Sequence, residues 1–223
     1  MDYKIIAANW KSYKTMQEAS SWLDEFYSLM QVEKVEDQKI IVIFAPFTLL
    51  SFISQYIKDK NLKIYLGAQD ISQFEEGAYT GQINGQQIKE FATNVLIGHS
   101  EARKYLRQTE ADLGEKVKGA VKNNLETIYC VSDMSQIVPA TTEIVAYEPL
   151  TAIGSGNPDN PDDANKICSD LKNKYLNIKY TLYGGSVTPD NVASFTSKEF
   201  IDGVLVGKES LNPQLFFKII KNA

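Results

Sequence analysis

Four side chains stand where short apolar runs end, and together they could supply a general base, an N–H donor to a carbonyl and a fixed cation. Asn9 and Lys11 follow Ile5-Ile6-Ala7-Ala8, His99 follows Val95-Leu96-Ile97-Gly98, and Glu148 follows Ile144-Val145-Ala146-Tyr147. A carboxylate partly withdrawn from water gains proton affinity and becomes a usable general base near neutral pH. Pro149 disfavours helix at the preceding residue and keeps Glu148 at an extended strand end. His99 is the only histidine, and it can offer a neutral N–H to a carbonyl oxygen if its ring lies at the positive end of a helix, a field that disfavours imidazolium. Lys11 would add a fixed cation. Each type taken singly has a plainer reading, since lone histidines are usually structural and strand-end lysines and carboxylates are usually solvated.

The positions of these residues acquire meaning from the elements around them. Apolar runs recur at Ile5 to Ala8, Ile40 to Phe44, Leu62 to Leu66, Val95 to Ile97, Ile128 to Val131, Ile144 to Tyr147, Tyr180 to Tyr183 and Val204 to Val206. Between them, Trp22, Phe26 and Leu29, then Phe52, Ile53, Tyr56 and Ile57, and near the end Leu215, Phe216 and Ile219 recur at helical spacing. Strand-then-helix alternation predicts right-handed crossovers and a single α/β domain over residues 1–223, a closed (β/α)8 barrel, with an open doubly wound sheet as the alternative. In a barrel, the C-terminal ends of the strands share one rim and carry the chemistry. Gly98 would let the chain turn sharply there, with Ser100 capping a helix whose first turn holds Glu101.

Three segments could expose backbone N–H groups to an oxyanion: Gly154-Ser155-Gly156 after the sixth strand, Gly184-Gly185-Ser186 after the seventh and Gly207-Lys208 after the eighth. Asn212-Pro213 then reads as the cap and first residue of the last helix. Glycine turns are weak signals singly, but turns after strands seven and eight are where barrels bind phosphate. The stretch from Gly154 to Pro161 is the only Gly/Pro/Asn-rich one and reads as a functional loop.

With 43% hydrophobic residues, the 223-residue chain can bury a large core. A net charge of −5 with scattered lysines argues against nucleic-acid binding, while leaving room for a small anion where cations converge. No apolar run is long enough to span a bilayer, and Met1-Asp2-Tyr3-Lys4 passes into the first strand without a targeting pattern, so the expected compartment is the cytoplasm. Cys130 and Cys168 lack close spacing and have no second histidine to complete a metal site, which favours reduced thiols.

Read in order, these residues resemble one family, the triosephosphate isomerases. The likeness runs from Ala8-Asn9-Trp10-Lys11 through Gly77-Ala78-Tyr79-Thr80-Gly81, Ile97-Gly98-His99-Ser100-Glu101 and Ala146-Tyr147-Glu148-Pro149. It continues through Ala152-Ile153-Gly154-Ser155-Gly156 and Tyr183-Gly184-Gly185-Ser186-Val187 to Asp202-Gly203-Val204-Leu205-Val206-Gly207. The resemblance implies interconversion of dihydroxyacetone phosphate and D-glyceraldehyde 3-phosphate through an enediolate, without cofactor or metal. Glu148 would move the carbon-bound proton and neutral His99 would polarise the carbonyl, a division of labour for which this enzyme is itself the standard example. Lys11 would stabilise anionic charge, with Asn9 beside it and Ser100 and Glu101 in support. Gly154, Ser186, Gly207 and Lys208 would hold the phosphate under a lid that follows Glu148. The resemblance also implies a homodimer through Gln73 to Gln82, the loop inserting beside the neighbouring subunit's Asn9 and Lys11.

The chain departs from the family pattern at four places. Thr151 stands where a tryptophan is usual, Lys208 replaces the second glycine of the last phosphate turn, and Ala102 replaces an arginine. Only eleven residues, Ser132 to Thr142, interrupted by Pro139, join strands five and six, too few for a covering helix. The apolar surface this bares could support a tetramer. A different phosphosugar barrel enzyme would not be expected to reproduce Asn9, Lys11, His99 and Glu148 together, and a noncatalytic sugar-phosphate binder would lose the base.

Overall fold

The computed structural model describes residues 3–152 and 158–223. Among them, eight parallel strands close into a barrel in sequence order. The strands are β1 Lys4–Asn9, β2 Lys39–Ala45, β3 Tyr65–Ala68, β4 Asn94–Ile97, β5 Glu126–Val131, β6 Ile144–Tyr147, β7 Tyr180–Tyr183 and β8 Gly203–Val206. Pairing of Ile5 with Gly203 and of Ala8 with Val206 joins β1 to β8, which rules out the open sheet. A Cβ on Gly203 would overlap the Ile5 backbone, so the closing seam requires glycine there.

Alternate residues of each strand face opposite ways. One buried cluster, inside the barrel, holds Ile5, Ala7, Val42, Phe44, Leu96, Ile128, Cys130, Ala146, Leu182 and Leu205. A second and larger cluster, between strands and helices, holds Ile6, Ala8, Ile41 and Ile43 with Trp22, Phe26, Phe216 and Ile219. Because both faces are buried, the strand interiors are mostly apolar, with charged residues such as Lys4, Lys39 and Glu126 at their first positions.

The helices are α1 Met16–Val32, α2 Leu50–Lys60, α3 Gly85–Lys89, α4 Ser100–Leu106, α5 Glu110–Lys122, α6 Pro161–Lys174, α7 Val192–Thr196 and α8 Pro213–Asn222. They do not follow one per strand. Two of them, α4 and α5, share the connection from β4 to β5, and the connection from β5 to β6 carries none, as its length predicts. Asn212 caps α8 by accepting the Leu215 N–H at 2.9 Å. On α8 the buried face is wider than Leu215, Phe216 and Ile219 suggest, for Phe217 and Ile220 are buried and Leu215 only partly so.

One strand is displaced from its expected place. The run Leu62 to Leu66 is not β3, which begins at Tyr65 and continues through Gly67 and Ala68. Asn61 ends α2 in the left-handed region at φ 47°, and the Leu62 N–H then bonds back to the Ile57 carbonyl at 3.0 Å. Leu62 and Ile64 are buried as plugs in the link. Gly67 belongs to the strand because the Phe44 ring occupies the space of a side chain there.

Candidate active site

Strand register brings the site together. The inward series Ile5, Ala7 continues to Asn9, and the inward series Ile144, Ala146 continues to Glu148, so both polar groups emerge on the inner rim. His99 lies out of step with inward Leu96, and Gly98, at φ +75°, turns the chain to bring it in. Asn9, Lys11, His99, Glu148, Gly184, Gly185, Ser186, Gly207 and Lys208 line a single cavity of about 260 Å³. A larger hollow of about 770 Å³ lies at the other end of the strands, among residues such as Tyr3, Lys34, Lys39 and Tyr65, and holds no histidine.

His99 and Glu148 are in contact, Nε2 to Oε1 at 3.0 Å, and both are buried. The other Glu148 oxygen accepts the Ser100 N–H at 3.3 Å, while the Glu148 N–H donates to the Val131 carbonyl at 2.7 Å. Gly184 leaves room for this carboxylate, since a Cβ there would come within 2.8 Å of Glu148 Cγ. Ser100 is not the cap of α4; His99 is, its Nδ1 accepting the Glu101 N–H at 3.2 Å. Serine is the commoner cap by preference, but here the imidazole nitrogen takes the orphan N–H and Ser100 starts the helix. A neutral His99 whose Nδ1 accepts that bond carries its proton on Nε2, facing Glu148.

Two influences oppose each other on this ring. Burial disfavours imidazolium, but the charge of Glu148 and its hydrogen bond, with a smaller contribution from Glu101, outweigh burial and raise the His99 pKa. The Glu101 carboxylate lies 3.7 Å from Nδ1, farther than its own N–H.

Lys11 adopts φ 51°, an unfavourable region for a residue with a Cβ. Its neighbours hold it there. The Lys11 N–H donates to Asn9 Oδ1 at 2.9 Å, the Gln69 amide donates to the Lys11 carbonyl at 2.9 Å, and Lys11 Nζ meets Glu101 Oε1 at 2.6 Å. Such strain persists only where contacts over-determine it, and it clusters at functional sites.

The turns after β7 and β8 line the same cavity. Ser186 donates its hydroxyl to the Ala152 carbonyl at 2.6 Å, which ties the β7 turn to the loop after β6. Thr151 is exposed on that loop and Ala152 is buried. Gly154 and Gly156 lie outside the described residues. Lys208 is not among the positive-φ residues, so its Cβ does not strain the last turn. Ser210 closes that turn by donating its hydroxyl to the Gly207 carbonyl at 2.6 Å, and Trp22 Nε1, reaching from α1, donates to the Ser210 carbonyl at 3.1 Å. Among the described residues, no three His, Cys, Asp or Glu side chains gather as metal ligands would.

A sequence model of the triosephosphate isomerase family matches residues 4–223. The chain belongs to the triosephosphate isomerase family. The triosephosphate isomerase of Dictyoglomus thermophilum is 38% identical over 254 residues, covering all of both chains. Those of Trichodesmium erythraeum and Caldanaerobacter subterraneus are each 36% identical, over 97% of this chain and 97% and 98% of their own. In all these comparisons the likeness is end to end.

Arg103 supports the site without any signal of its own at a strand end. Arg103, one turn beyond His99 on α4, donates to the Gly98 carbonyl at 2.8 Å and to the Cys130 carbonyl at 3.2 Å, and pairs with Glu110 at 2.6 Å. It ties the turn before His99 to the end of β5. Its spacing from His99 was the available signal. Cys130, inside the barrel, has its thiol pKa pushed well up, by burial first and by the Glu148 charge second.

The opposition on His99 makes a checkable statement. In Glu148→Gln, the charge that raises the His99 pKa is gone while burial remains, so the pKa must fall. An NMR titration of the single imidazole measures this, and a value equal to or above that of the parent would contradict the assignment.

Proposed function

We propose that this chain, as one catalytic domain over residues 1–223, interconverts dihydroxyacetone phosphate and D-glyceraldehyde 3-phosphate by proton transfer, with no cofactor or metal. The observation that carries this reading is the buried contact of His99 Nε2 with Glu148 Oε1 at 3.0 Å, in a cavity that also holds Lys11 and the turns after β7 and β8. A substrate carbonyl placed at that contact would receive the Nε2–H of His99. Glu148 would take the proton from the adjacent carbon, leaving an enediolate, and return it to the neighbouring carbon to form the other isomer. His99 would shuttle protons between the two oxygens. Lys11 would stabilise the negative charge that develops on them, and Asn9, which accepts the Lys11 N–H, would support that wall.

In this reading Ser100 and Glu101 are supporting residues: the Ser100 N–H steadies Glu148, and the Glu101 carboxylate holds Lys11. Gly207 and Lys208 offer main-chain N–H groups to the phosphate, with Ser186 and Gly154 completing the grip. We place the enzyme in the cytoplasm; no described helix is long and apolar enough to cross a membrane. Glu148→Gln keeps the shape of the side chain and removes the base. It should lower kcat by about 10²-fold or more, with binding of a phosphate analogue retained, in an assay coupled in either direction. A rate within a few-fold of the parent would reject this mechanism.

The assembly we propose is a homodimer through Gln73 to Gln82. Phe74 and Tyr79 stack there at 4.2 Å, yet both rings remain over one-third exposed, at 38% and 44%. A second copy would cover them and brace the surroundings of Lys11. Ile137 and Leu150, 62% and 67% exposed around the shortened connection, offer a further contact through which dimers would pair into a tetramer. Light scattering at micromolar concentration should give at least twice the chain mass, and Thr80→Arg should reduce mass and activity together. A fully active monomer would overturn the role of this loop.

A further inference from the structure

The charged side chains of the catalytic cavity nearly balance. Its lining includes Lys11, Glu148, Lys208 and Glu209. The Lys11 ammonium is already met by Glu101 at 2.6 Å, so that pair cancels locally. Beside that engaged pair the lining holds Lys208, Glu209 and the His99–Glu148 contact. A phosphate dianion brought into such a lining meets no clear excess of positive charge, and without Lys208 it would meet a net negative one. Main-chain N–H groups supply partial charges only.

Lys208 is placed and available to correct this. It follows Gly207 directly, and Gly207 borders Lys11, since a Cβ there would lie 3.8 Å from Lys11 Nζ. The turn is anchored by Ser210 and Trp22, so Lys208 projects from a fixed base. Its side chain makes no ion pair or hydrogen bond among the described residues, unlike Lys11. Glu209, next in sequence, borders the same cavity with the opposite charge.

We propose that the Lys208 ammonium is itself a binding group for the substrate's phosphate dianion, and that Lys208 and Glu209 set affinity at that end of the cavity as an opposed pair of charges. This rests on the isomerase reading above and adds a side-chain charge to the backbone grip. Lys208 acts on binding, so the loss on removing it falls on KM, and Glu209 works against binding, so its neutralisation has the opposite sign. A role in folding alone would produce no such reversal.

The test compares the full-length parent with Lys208→Met, Lys208→Arg and Glu209→Gln. Each is assayed for KM with dihydroxyacetone phosphate and, by calorimetry, for the Kd of inorganic phosphate. Lys208→Met should raise both roughly three- to ten-fold, the size expected for one partly screened charge acting on a dianion, and Glu209→Gln should lower both. Lys208→Arg should stay near the parent, and the rise of KM with added salt should be shallower in Lys208→Met. Unchanged KM and Kd in Lys208→Met, or shifts of the same sign in Lys208→Met and Glu209→Gln, would overturn the proposal. Absence of turnover in the parent would instead reject the isomerase reading, and the phosphate affinities would still decide the role of Lys208.

Discussion

The polar rim of the candidate site depends first on strand register in a barrel that closes. Side chains alternate along each strand, so the residue that ends an inward series is delivered to the inner rim without further positioning. Asn9 follows Ala7 in this way and Glu148 follows Ala146. A slip of one residue in β6 would turn Glu148 towards the helices. The seam at Ile5 and Gly203 therefore matters to chemistry as well as to stability, because it completes the ring that sets the registers of β1 and β8. His99 is the exception, and it needs the left-handed turn at Gly98 to join the others.

Around this frame the polar groups constrain one another. The Glu101 N–H occupies one nitrogen of His99 and Glu148 faces the other. The Glu101 carboxylate takes Lys11, whose unfavourable backbone is held by Asn9 and Gln69. The connection between β5 and β6 carries no helix, and on the other side of β5 Arg103 ties it to the turn after β4 by bonding the Gly98 and Cys130 carbonyls at once. A guanidinium suits that task because its donors are fixed in one plane and it is always charged.

Much of this could be read from the order of residues, for physical reasons. Asn9, His99 and Glu148 were visible because a polar group that ends an apolar run marks a strand end, and strand ends meet on one rim. The missing helix was visible because eleven residues containing Pro139 cannot make a covering turn of helix and two links. The third strand was misplaced because Leu62 and Ile64 are apolar for reasons of loop burial, while the true strand ends in Gly67 and Ala68, which carry little hydrophobic signal. Ser100 is the expected cap because hydroxyls usually fill that role, and only the position of the imidazole shows otherwise. Arg103 owes its importance to contacts across strands, which no local pattern encodes. Lys208 appeared as an irregular residue in a glycine turn, and its meaning depends on Glu209 and the Glu101–Lys11 pair beside it.

The central claim is that isomerisation proceeds by proton removal to Glu148 and not by direct hydride shift between carbons. Running the reaction in D₂O and locating deuterium in the product by NMR tests it most directly. A carboxylic acid that exchanges its proton with the solvent between the two half-reactions should place deuterium on the carbon that receives the proton. Full-rate product with no carbon-bound deuterium from both the parent and Glu148→Gln would contradict the account.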